Sequence, residues 1–404
     1  MHTELHHHYA NNSDAQRARH LLSACVHCGF CLETCPTYLE TRDERDSPRG
    51  RIYLIRQLLE TGAAAAPTSH HLDRCLTCRS CETTCPSGVQ YAQLAEIGQH
   101  LAEDAAPRPR LQAALRQMLR AVISRPGLFR SLLRIGQLLR PVLPAVLRQQ
   151  IPPRQRRLPL PTAASSRTLL VLEGCVQAAA TPRTNDAARR VCAALGITLQ
   201  AAPQAGCCGA VQQHLGGAAA ARDNMRRNID AWWPAIEAGA EGIVTTASGC
   251  GAMLADYGRL LADDPVYAQR AAQVSALARD LGEVLLDADL SVLAADTSCG
   301  KVAVHTPCSL QHALHQPELL ATLLRSAGFT LARTEETHIC CGSAGTYSLL
   351  QPELSQRLRR RKQAALTVDT PALIATANVG CQLHLASAEV PVVHWIELLD
   401  PARP

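Results

Sequence analysis

The chain is poor in aromatic residues and lacks long hydrophobic runs, and each shortage excludes a class of function. Its 404 residues include only 3 Phe, 3 Trp and 7 Tyr, so we expect no surface that stacks bases and binds nucleic acid. No run of about 18 apolar residues occurs, so we expect no membrane-spanning segment. No Gly-x-Gly-x-x-Gly pattern opens a helix after a strand and no P-loop is present, so FAD binding by this chain alone is not expected.

The N-terminus also lacks the apolar segment of a secretory signal. Residues 1–19 are polar, and the triplet His6–His8 is interpreted as part of a mobile terminus without a function. The 18 cysteines of an unexported chain favour reduced thiolates that bind metal over disulfides. We therefore expect a cytoplasmic protein, with peripheral attachment to the inner face of the cytoplasmic membrane as an open alternative.

Acidic residues are missing from one long stretch. None occurs between Asp104 and Glu173, where thirteen arginines lie from Arg108 to Arg167. Apolar residues repeat there at helical spacing, at Leu111, Leu115, Met118, Leu119 and Val122, and again at Leu128, Leu132, Ile135, Leu138 and Leu139. This pattern predicts a basic helical connector that packs on a partner subunit, lies on an anionic membrane surface or is a solvated linker.

The cysteines themselves fall into two groups, of which the first consists of two short runs. Cys25, Cys28, Cys31 and Cys35 precede Pro36, and Cys75, Cys78, Cys81 and Cys85 precede Pro86. Each is the C-x₂-C-x₂-C-x₃-C-P ligand run of a [4Fe-4S] ferredoxin, in which the fourth Cys ligates the other cluster. The prediction is one cluster on Cys25, Cys28, Cys31 and Cys85, and a second on Cys75, Cys78, Cys81 and Cys35. Zinc is the alternative, but its sites pair two knuckles and do not use this spacing.

The second group of cysteines belongs to an internal repeat. Cys175 is followed 32 positions later by Cys207-Cys208-Gly209, and Cys308 is followed 32 positions later by Cys340-Cys341-Gly342. Each unit closes with a buried apolar strand, a turn and a further cysteine, Cys250 or Cys381. Such strands predict α/β regions with parallel sheets. The expected fold class is therefore α/β overall, with a helical double-cluster domain followed by two tandem α/β repeats.

Four thiolates are expected to converge in each repeat, because ligands gather beyond the carboxyl ends of parallel strands. The two sets are Cys175, Cys207, Cys208, Cys250 and Cys308, Cys340, Cys341, Cys381, and each is a candidate further metal or redox site. Cys192 and Cys299 remain, and both are interpreted as ordinary core or loop thiols. The predicted domains are 1–104, 105–166, 167–298 and 299–404.

These residues resemble the glycolate oxidase iron-sulfur subunit family, which has a double-cubane ferredoxin domain and two cysteine-rich CCG domains. The likeness includes the stretch 46–55 between the cysteine runs, the Cys-Gly-Phe-Cys of the first run and the Cys-Pro-Ser-Gly after the second. The resemblance implies an electron-transfer subunit with two [4Fe-4S] clusters. By itself this subunit would not oxidise glycolate. Flavin-containing partner subunits would hold the FAD and oxidise glycolate, or D-lactate, and electrons would pass towards a quinone or another membrane acceptor.

Related families leave alternatives open. They are the iron-sulfur subunits of lactate utilisation and of anaerobic glycerol-3-phosphate dehydrogenase, and the catalytic subunit of heterodisulfide reductase, whose CCG domains end in C-x₂-C. This chain departs from that ending, because Met253 and His384 stand where the last cysteine would be. His384 is a candidate replacement ligand, and His338, His305 and His214 are candidates to tune a centre by hydrogen bonding. A second hypothesis is that the CCG repeats themselves catalyse disulfide or quinone reduction with electrons from the ferredoxin domain. A third is a protein whose metals only stabilise its fold.

Overall fold

The computed structural model describes residues 1–64, 67–144, 148, 150–161, 167–386 and 389–402. They form two compact units. The first comprises Met1–Gln117 with Glu336–Ala364, and the second comprises Met118–Glu335 with Ala365–Pro404. Among these described residues, no helix is both long and apolar enough to cross a membrane.

The first unit is helical. Its N-terminal part contains α1 (Ser13–Ser23), α2 (Pro36–Thr41), α3 (Pro48–Thr61), α4 (Thr68–Asp73), α5 (Ser80–Thr83) and α6 (Tyr91–Ala105). Helix α3 begins where Ser47 accepts a hydrogen bond from the Gly50 N–H and Pro48 occupies the first position, both of which favour a helix start. The helices bury one apolar core, with Leu22, Ile55 and Leu94 fully buried. The later segment of this unit contains the helix Tyr347–Leu350 and most of the helix Pro352–Leu366.

The predicted connector is helical in the structure. Helix α7 (Arg110–Ile123), within which the division between the units falls, is followed by α8 (Pro126–Leu139) and a 3₁₀ turn, Arg140–Val142. Pro126 lies at the first position of α8, and α8 ends two residues before Pro141. Proline is tolerated at a helix start and ends a helix elsewhere, so these residues divide the connector into short helices.

The second unit contains a four-stranded parallel sheet. Its strands are β1 (Arg167–Leu172), β2 (Ile197–Ala201), β3 (Ile243–Thr245) and β4 (Ala278–Asp280), in the order β2-β1-β3-β4. Leu169 pairs with Leu199, and Val171 pairs with Val244. The helices of this region are Gln177–Ala180, Pro182–Ala194, Ala210–His214, Ala218–Glu237, Ser248–Ala255, Tyr257–Leu260, Ala268–Leu277 and Leu281–Leu285.

A second parallel sheet lies in the same unit. Its strands are β5 (Val302–His305), β6 (Leu373–Thr376) and β7 (Val392–His394), in that order, and a parallel bridge joins Val302 to Leu331. The accompanying elements are a 3₁₀ turn at Leu290–Leu293, a π turn at Ser309–Ala313 and the helices Leu319–Ser326, Val379–Leu385 and Trp395–Leu398. The repeat detected in the sequence thus corresponds to two parallel sheets.

The two sheets share one apolar core, which includes Leu169, Val302 and Trp395. Polar contacts join them as well, because His394 donates from Nε2 to the Thr246 carbonyl oxygen at 2.7 Å. The predicted fold class, a helical N-terminal region followed by α/β regions with parallel sheets, is confirmed. The domain boundaries after residues 104, 166 and 298 stay predictions.

Candidate metal centres

Both cysteine runs of the first unit form loops with the same backbone. Residues with positive φ occupy matching positions, His27 (57°) and Gly29 (88°) in the first loop and Thr77 (49°) and Arg79 (62°) in the second. The left-handed region costs a residue other than glycine about 1–2 kcal/mol, so Thr77 and Arg79 adopt it against local preference. This backbone turns the chain tightly enough for three cysteines spaced three apart to face one point.

Each loop borders a cavity that also receives a cysteine from the other run. The first cavity is bordered by Cys25, Cys28, Cys31, Cys81 and Cys85. The second is bordered by Cys35, Cys75, Cys78 and Cys81. Tyr91 and Pro48 border both cavities, so the two are neighbours. Each predicted set of four cysteines therefore borders one cavity, while the assignment of ligands to clusters stays a prediction.

The donor chemistry of these cavities fits iron-sulfur clusters. Burial raises the pKa of the Cys31 thiol to about 11 and that of Cys81 well above its ordinary value. Bound iron offsets this effect because a coordinating thiol is deprotonated outright. The buried Tyr91 hydroxyl has no hydrogen-bond partner among the described residues. A sulfur atom of a cluster would accept a hydrogen bond from this hydroxyl, and hydrogen bonds of this kind to cluster sulfurs help to set their reduction potentials.

A charged network lies beside the second cavity, and it was not foreseen as functional from the sequence. The Asp46 carboxylate is fully buried and lies 2.8 Å from both His71 Nδ1 and Arg74 Nη1. Arg51, on α3, is buried as well and donates from Nε to the His71 carbonyl oxygen at 2.7 Å and from Nη2 to Thr37 Oγ1 at 3.2 Å. These contacts hold the guanidinium in place.

Thr37 connects this network to a candidate ligand. Its Oγ1 donates to the Asp46 carbonyl oxygen at 2.7 Å and lies 3.3 Å from Cys35 Sγ. Asp46 and Arg51 belong to the stretch 46–55 that carried the family resemblance. The sequence feature that could have indicated this network is a group of three charged residues in the short segment between the two cysteine runs, namely Asp46, Arg49 and Arg51.

The first repeat brings its four cysteines together beyond the strand ends. Cys175 follows β1, Cys207 and Cys208 follow β2, and Cys250 lies in the helix after β3. Gly209 has a φ of 96° and directs its N–H at Cys207 Sγ, at 3.4 Å. The turn requires glycine because a side chain is strained in this region.

The thiols of this first set are close enough to shift one another's pKa values. Hydrogen bonds from the Cys175 and Cys208 thiols, and one from the Gly209 N–H, lower the pKa of Cys207 to about 3. The same contacts, together with burial, raise the pKa values of Cys175 and Cys208 well above the ordinary value, and Cys208 also bonds to Cys250. Cys207, whose pKa is lowered, therefore lies among three further thiols, and such a set of sulfur ligands is suited to a metal ion or cluster.

Two polar side chains hydrogen-bond to the backbone of the first cysteine set, and the sequence did not predict them. Asn228 donates from Nδ2 to the Cys207 carbonyl oxygen at 3.0 Å, and the Tyr257 hydroxyl donates to the Cys208 carbonyl oxygen at 2.8 Å. Both side chains come from helices outside the cysteine pattern. They fix the Cys207–Cys208 turn in the way that outer-shell groups orient metal ligands.

The cysteines of the second repeat are divided between the compact units. Cys308 precedes the π turn and Cys381 lies in the helix Val379–Leu385, both in the second unit, whereas Cys340 and Cys341 belong to the first. Gly342 directs its N–H at Cys340 Sγ at 3.5 Å with a φ of 86°, so the turn matches that at Gly209. The convergence of these four cysteines stays a prediction.

The remaining cysteines and the candidate histidines lie in the core or in regular secondary structure. Cys192 lies in the apolar core, where burial raises its thiol pKa to about 12, and Cys299 packs partly against the same core. His305 ends β5, His214 ends the helix Ala210–His214, and His384 lies in the helix Val379–Leu385. Their roles as ligands or hydrogen-bond donors, like that of His338, stay predictions.

Comparison with known proteins identifies the family of this chain. A family model described as "4Fe-4S dicluster domain" matches residues 21–89, and one described as "Cysteine-rich domain" matches residues 169–255 and 302–386. The glycolate oxidase iron-sulfur subunit of Escherichia coli strain K12 is 49% identical over 404 residues, which cover 100% of this chain and 99% of that protein. The chain belongs to the glycolate oxidase iron-sulfur subunit family.

More distant relatives place the glycolate oxidase iron-sulfur subunit family in a wider group. The probable glycolate oxidase iron-sulfur subunit of Bacillus subtilis strain 168 is 29% identical, over 93% of this chain and 92% of that protein. Lactate utilization protein A of Shouchella clausii strain KSM-K16 is 30% identical, over 37% of this chain and 62% of that protein. The predicted family is confirmed, and membership supports an iron-sulfur electron-transfer subunit of an oxidoreductase.

Proposed function

We propose that this chain carries electrons within a multi-subunit glycolate oxidase, through one [4Fe-4S] cluster on Cys25, Cys28, Cys31 and Cys85 and a second on Cys35, Cys75, Cys78 and Cys81. The observation that carries the proposal is the pair of neighbouring cavities, each bordered by four thiols of the predicted sets. Two adjacent clusters of this type transfer single electrons. Full-length identity of 49% to a glycolate oxidase iron-sulfur subunit supports the substrate class.

In this proposal the oxidation itself takes place on flavin-containing partner subunits. Glycolate loses two electrons and two protons as its alcohol carbon becomes the carbonyl of glyoxylate. The flavin receives both electrons and passes them one at a time to this chain. A quinone, or another membrane acceptor, finally takes up two electrons and, in the case of a quinone, two protons. D-lactate would follow the same balance, and the choice between these substrates lies with the partners.

The later segment of the first unit supports a proposed route by which electrons leave the two clusters. The Tyr347 hydroxyl donates to the carbonyl oxygen of Arg74, which directly precedes the second ligand loop, at 3.2 Å. Arg357 donates from Nε to Glu40 Oε2, on α2, at 3.3 Å. These contacts join the segment that carries Cys340 and Cys341 to the rest of the unit that contains the two cavities. We therefore place Cys340 and Cys341 after the second cluster in the order of transfer.

The test is an anaerobic assay of the chain with and without its flavin partners. The complex should reduce a quinone analogue with glycolate, and this chain alone should not. A Cys28→Ser complex should still bleach its flavin with glycolate but lose most quinone reduction, because one cluster ligand is missing. The matched control is Cys299→Ser, a cysteine outside every set. Glycolate oxidation by the chain alone, or full quinone reduction by Cys28→Ser, would refute the proposal.

A second candidate function is redox or metal chemistry at the first CCG site, favoured by the four thiols of Cys175, Cys207, Cys208 and Cys250 that follow the strands of one sheet and influence one another's pKa values. The measurement is iron, acid-labile sulfide and zinc per chain after anaerobic purification. About eight irons would mean two cubanes only, and about twelve to sixteen would place clusters in the repeats. Cys207→Ser should then lose the excess iron or zinc, while Cys192→Ala should keep it. Equal metal content in all three proteins would exclude a metal on this set.

A further inference from the structure

Helix α8 exposes a stripe of large apolar side chains. Leu128, Leu132, Ile135 and Leu139 are spaced by four, three and four residues, which places them on one face of a helix. Their exposed fractions range from 39% to 53%, and the neighbouring Leu138 is 76% exposed. Among the described residues, this helix buries none of its side chains fully. A contiguous exposed apolar surface of this kind marks an interaction site rather than an ordinary protein surface.

A different face of α8 is already in contact with the rest of the chain, so the exposed stripe is not a displaced part of the protein core. Gln137 donates from Nε2 to the Pro152 carbonyl oxygen at 3.1 Å, and Arg140 donates from Nε to the Ile151 carbonyl oxygen at 3.1 Å. The Ile151 side chain lies against Gly136, and Phe129 and Leu133 are half-buried. The orientation of the helix is thus fixed by its other side, with the stripe directed outwards.

The charged residues of α8 and of its N-cap are all positive. Arg125, Arg130 and Arg134 are exposed, and within the described ranges none of them makes an ion pair or a side-chain hydrogen bond. Other connector arginines are used inside the protein, since Arg157, for example, pairs with Asp186. Three exposed guanidinium groups on the same short helix and its N-cap, together with the exposed leucines, favour a surface that is both apolar and anionic.

We propose that α8 lies in the interface of an anionic phospholipid bilayer and attaches the subunit peripherally to a membrane. A helix of 14 residues is about 21 Å long, too short to span a bilayer but sufficient to lie in its plane. Leucine and isoleucine side chains would enter the acyl boundary, while arginines extend to the headgroup phosphates. A protein partner would have to supply a matching acidic patch, whereas an anionic leaflet presents negative charge uniformly. This inference does not depend on the substrate of the complex.

The experiment is flotation of the full-length, cluster-loaded chain with vesicles under anaerobic conditions. Vesicles of phosphatidylglycerol and phosphatidylcholine should bind the chain, and vesicles of phosphatidylcholine alone should bind it far less. The double variant Leu132→Glu/Ile135→Glu should lower partitioning at least about tenfold. Arg130→Gln/Arg134→Gln should lower it about fivefold for each arginine, on the anionic vesicles only.

The matched control is Val266→Glu/Val292→Glu, which changes two valines outside the connector that are more exposed than Leu132 and Ile135. Iron content should be the same in all variants, which separates loss of binding from misfolding. Equal flotation of the Leu132/Ile135 and Val266/Val292 variants would overturn the proposal. Absence of wild-type binding to anionic vesicles, combined with loss of the flavin partner only in the Leu132/Ile135 variant, would overturn it in favour of a protein interface.

Discussion

Replacement of Arg51 by glutamine should make one cluster harder to reduce. The guanidinium is buried and touches Thr37 Oγ1 at 3.2 Å, and this oxygen lies 3.3 Å from Cys35 Sγ. The positive charge is therefore no more than about 6.5 Å from a candidate ligand sulfur of the second cluster. A positive charge at this distance stabilises the reduced cluster, which carries one more electron. Its removal should shift the midpoint potential to a more negative value.

The size of the shift follows from Coulomb's law. At about 6.5 Å and an effective dielectric constant of about 20, one unit charge contributes about 2.5 kcal/mol. For one electron this equals about 110 mV. The Asp46 carboxylate, 3.7 Å from the guanidinium, offsets part of the effect, and the cluster centre is farther away than the sulfur. We therefore expect a decrease of about 50–100 mV.

The assay is a redox titration followed by electron paramagnetic resonance, which should show the shift in one cluster signal only. Arg51→Lys keeps the charge and should retain most of the potential. Arg56→Gln removes a partly exposed arginine from the same helix and should leave both potentials unchanged. Loss of buried pairing should also lower the melting temperature of Arg51→Gln, by an amount equivalent to about 3–5 kcal/mol. If Arg51→Gln retains its iron and both potentials stay within about 20 mV of wild type, the electrostatic reasoning is wrong.

Two further predictions concern ligand exchange and pH. Cys35 and Cys75 border the second cavity, so the double variant Cys35→Ser/Cys75→Ser should damage one cluster and keep about four of the eight ferredoxin irons. The double variant Cys35→Ser/Cys25→Ser removes one ligand from each cavity and should damage both clusters. Iron analysis measures both outcomes. Burial lowers the pKa of His394 to about 4, so its neutral form is favoured by the fold and the resulting stability is lost as pH falls from 6.5 towards 4. At pH 5 this loss is about 2 kcal/mol, and the melting temperature of His394→Gln should therefore fall less between pH 7 and pH 5 than that of wild type.

Each of these two predictions has a result that would contradict it. Greater iron loss in Cys35→Ser/Cys75→Ser than in Cys35→Ser/Cys25→Ser would mean that each run holds its own cluster. Parallel melting curves for His394→Gln and wild type across this pH range would mean that His394 is not buried in its neutral form. That form is expected from its contacts, because Nε2 donates to the Thr246 carbonyl oxygen while Nδ1 accepts from the Ile396 N–H.

The cysteine spacing alone predicted the two sets of thiols at the cavities of the first unit. This was possible because a loop that wraps one cluster is a local structure, set by a few residues and their backbone angles. Even so, the sequence did not show that Thr77 and Arg79 would take the positive φ values of His27 and Gly29. These two residues adopt the strained form because the loop as a whole must bring Cys75, Cys78 and Cys81 to one point.

The repeat and its parallel sheets were also readable, since buried parallel strands are continuous apolar runs and the interval between cysteines is a property of the chain. Only the tertiary structure decided which groups surround the cysteines. The burial of Arg51 beside Cys35, the hydrogen bond from Asn228 to Cys207 and the place of Cys340 within the first unit all depend on residues far apart in sequence. The outward stripe of α8 has the same origin, because a helical pattern defines a face but the surrounding packing determines whether that face is covered.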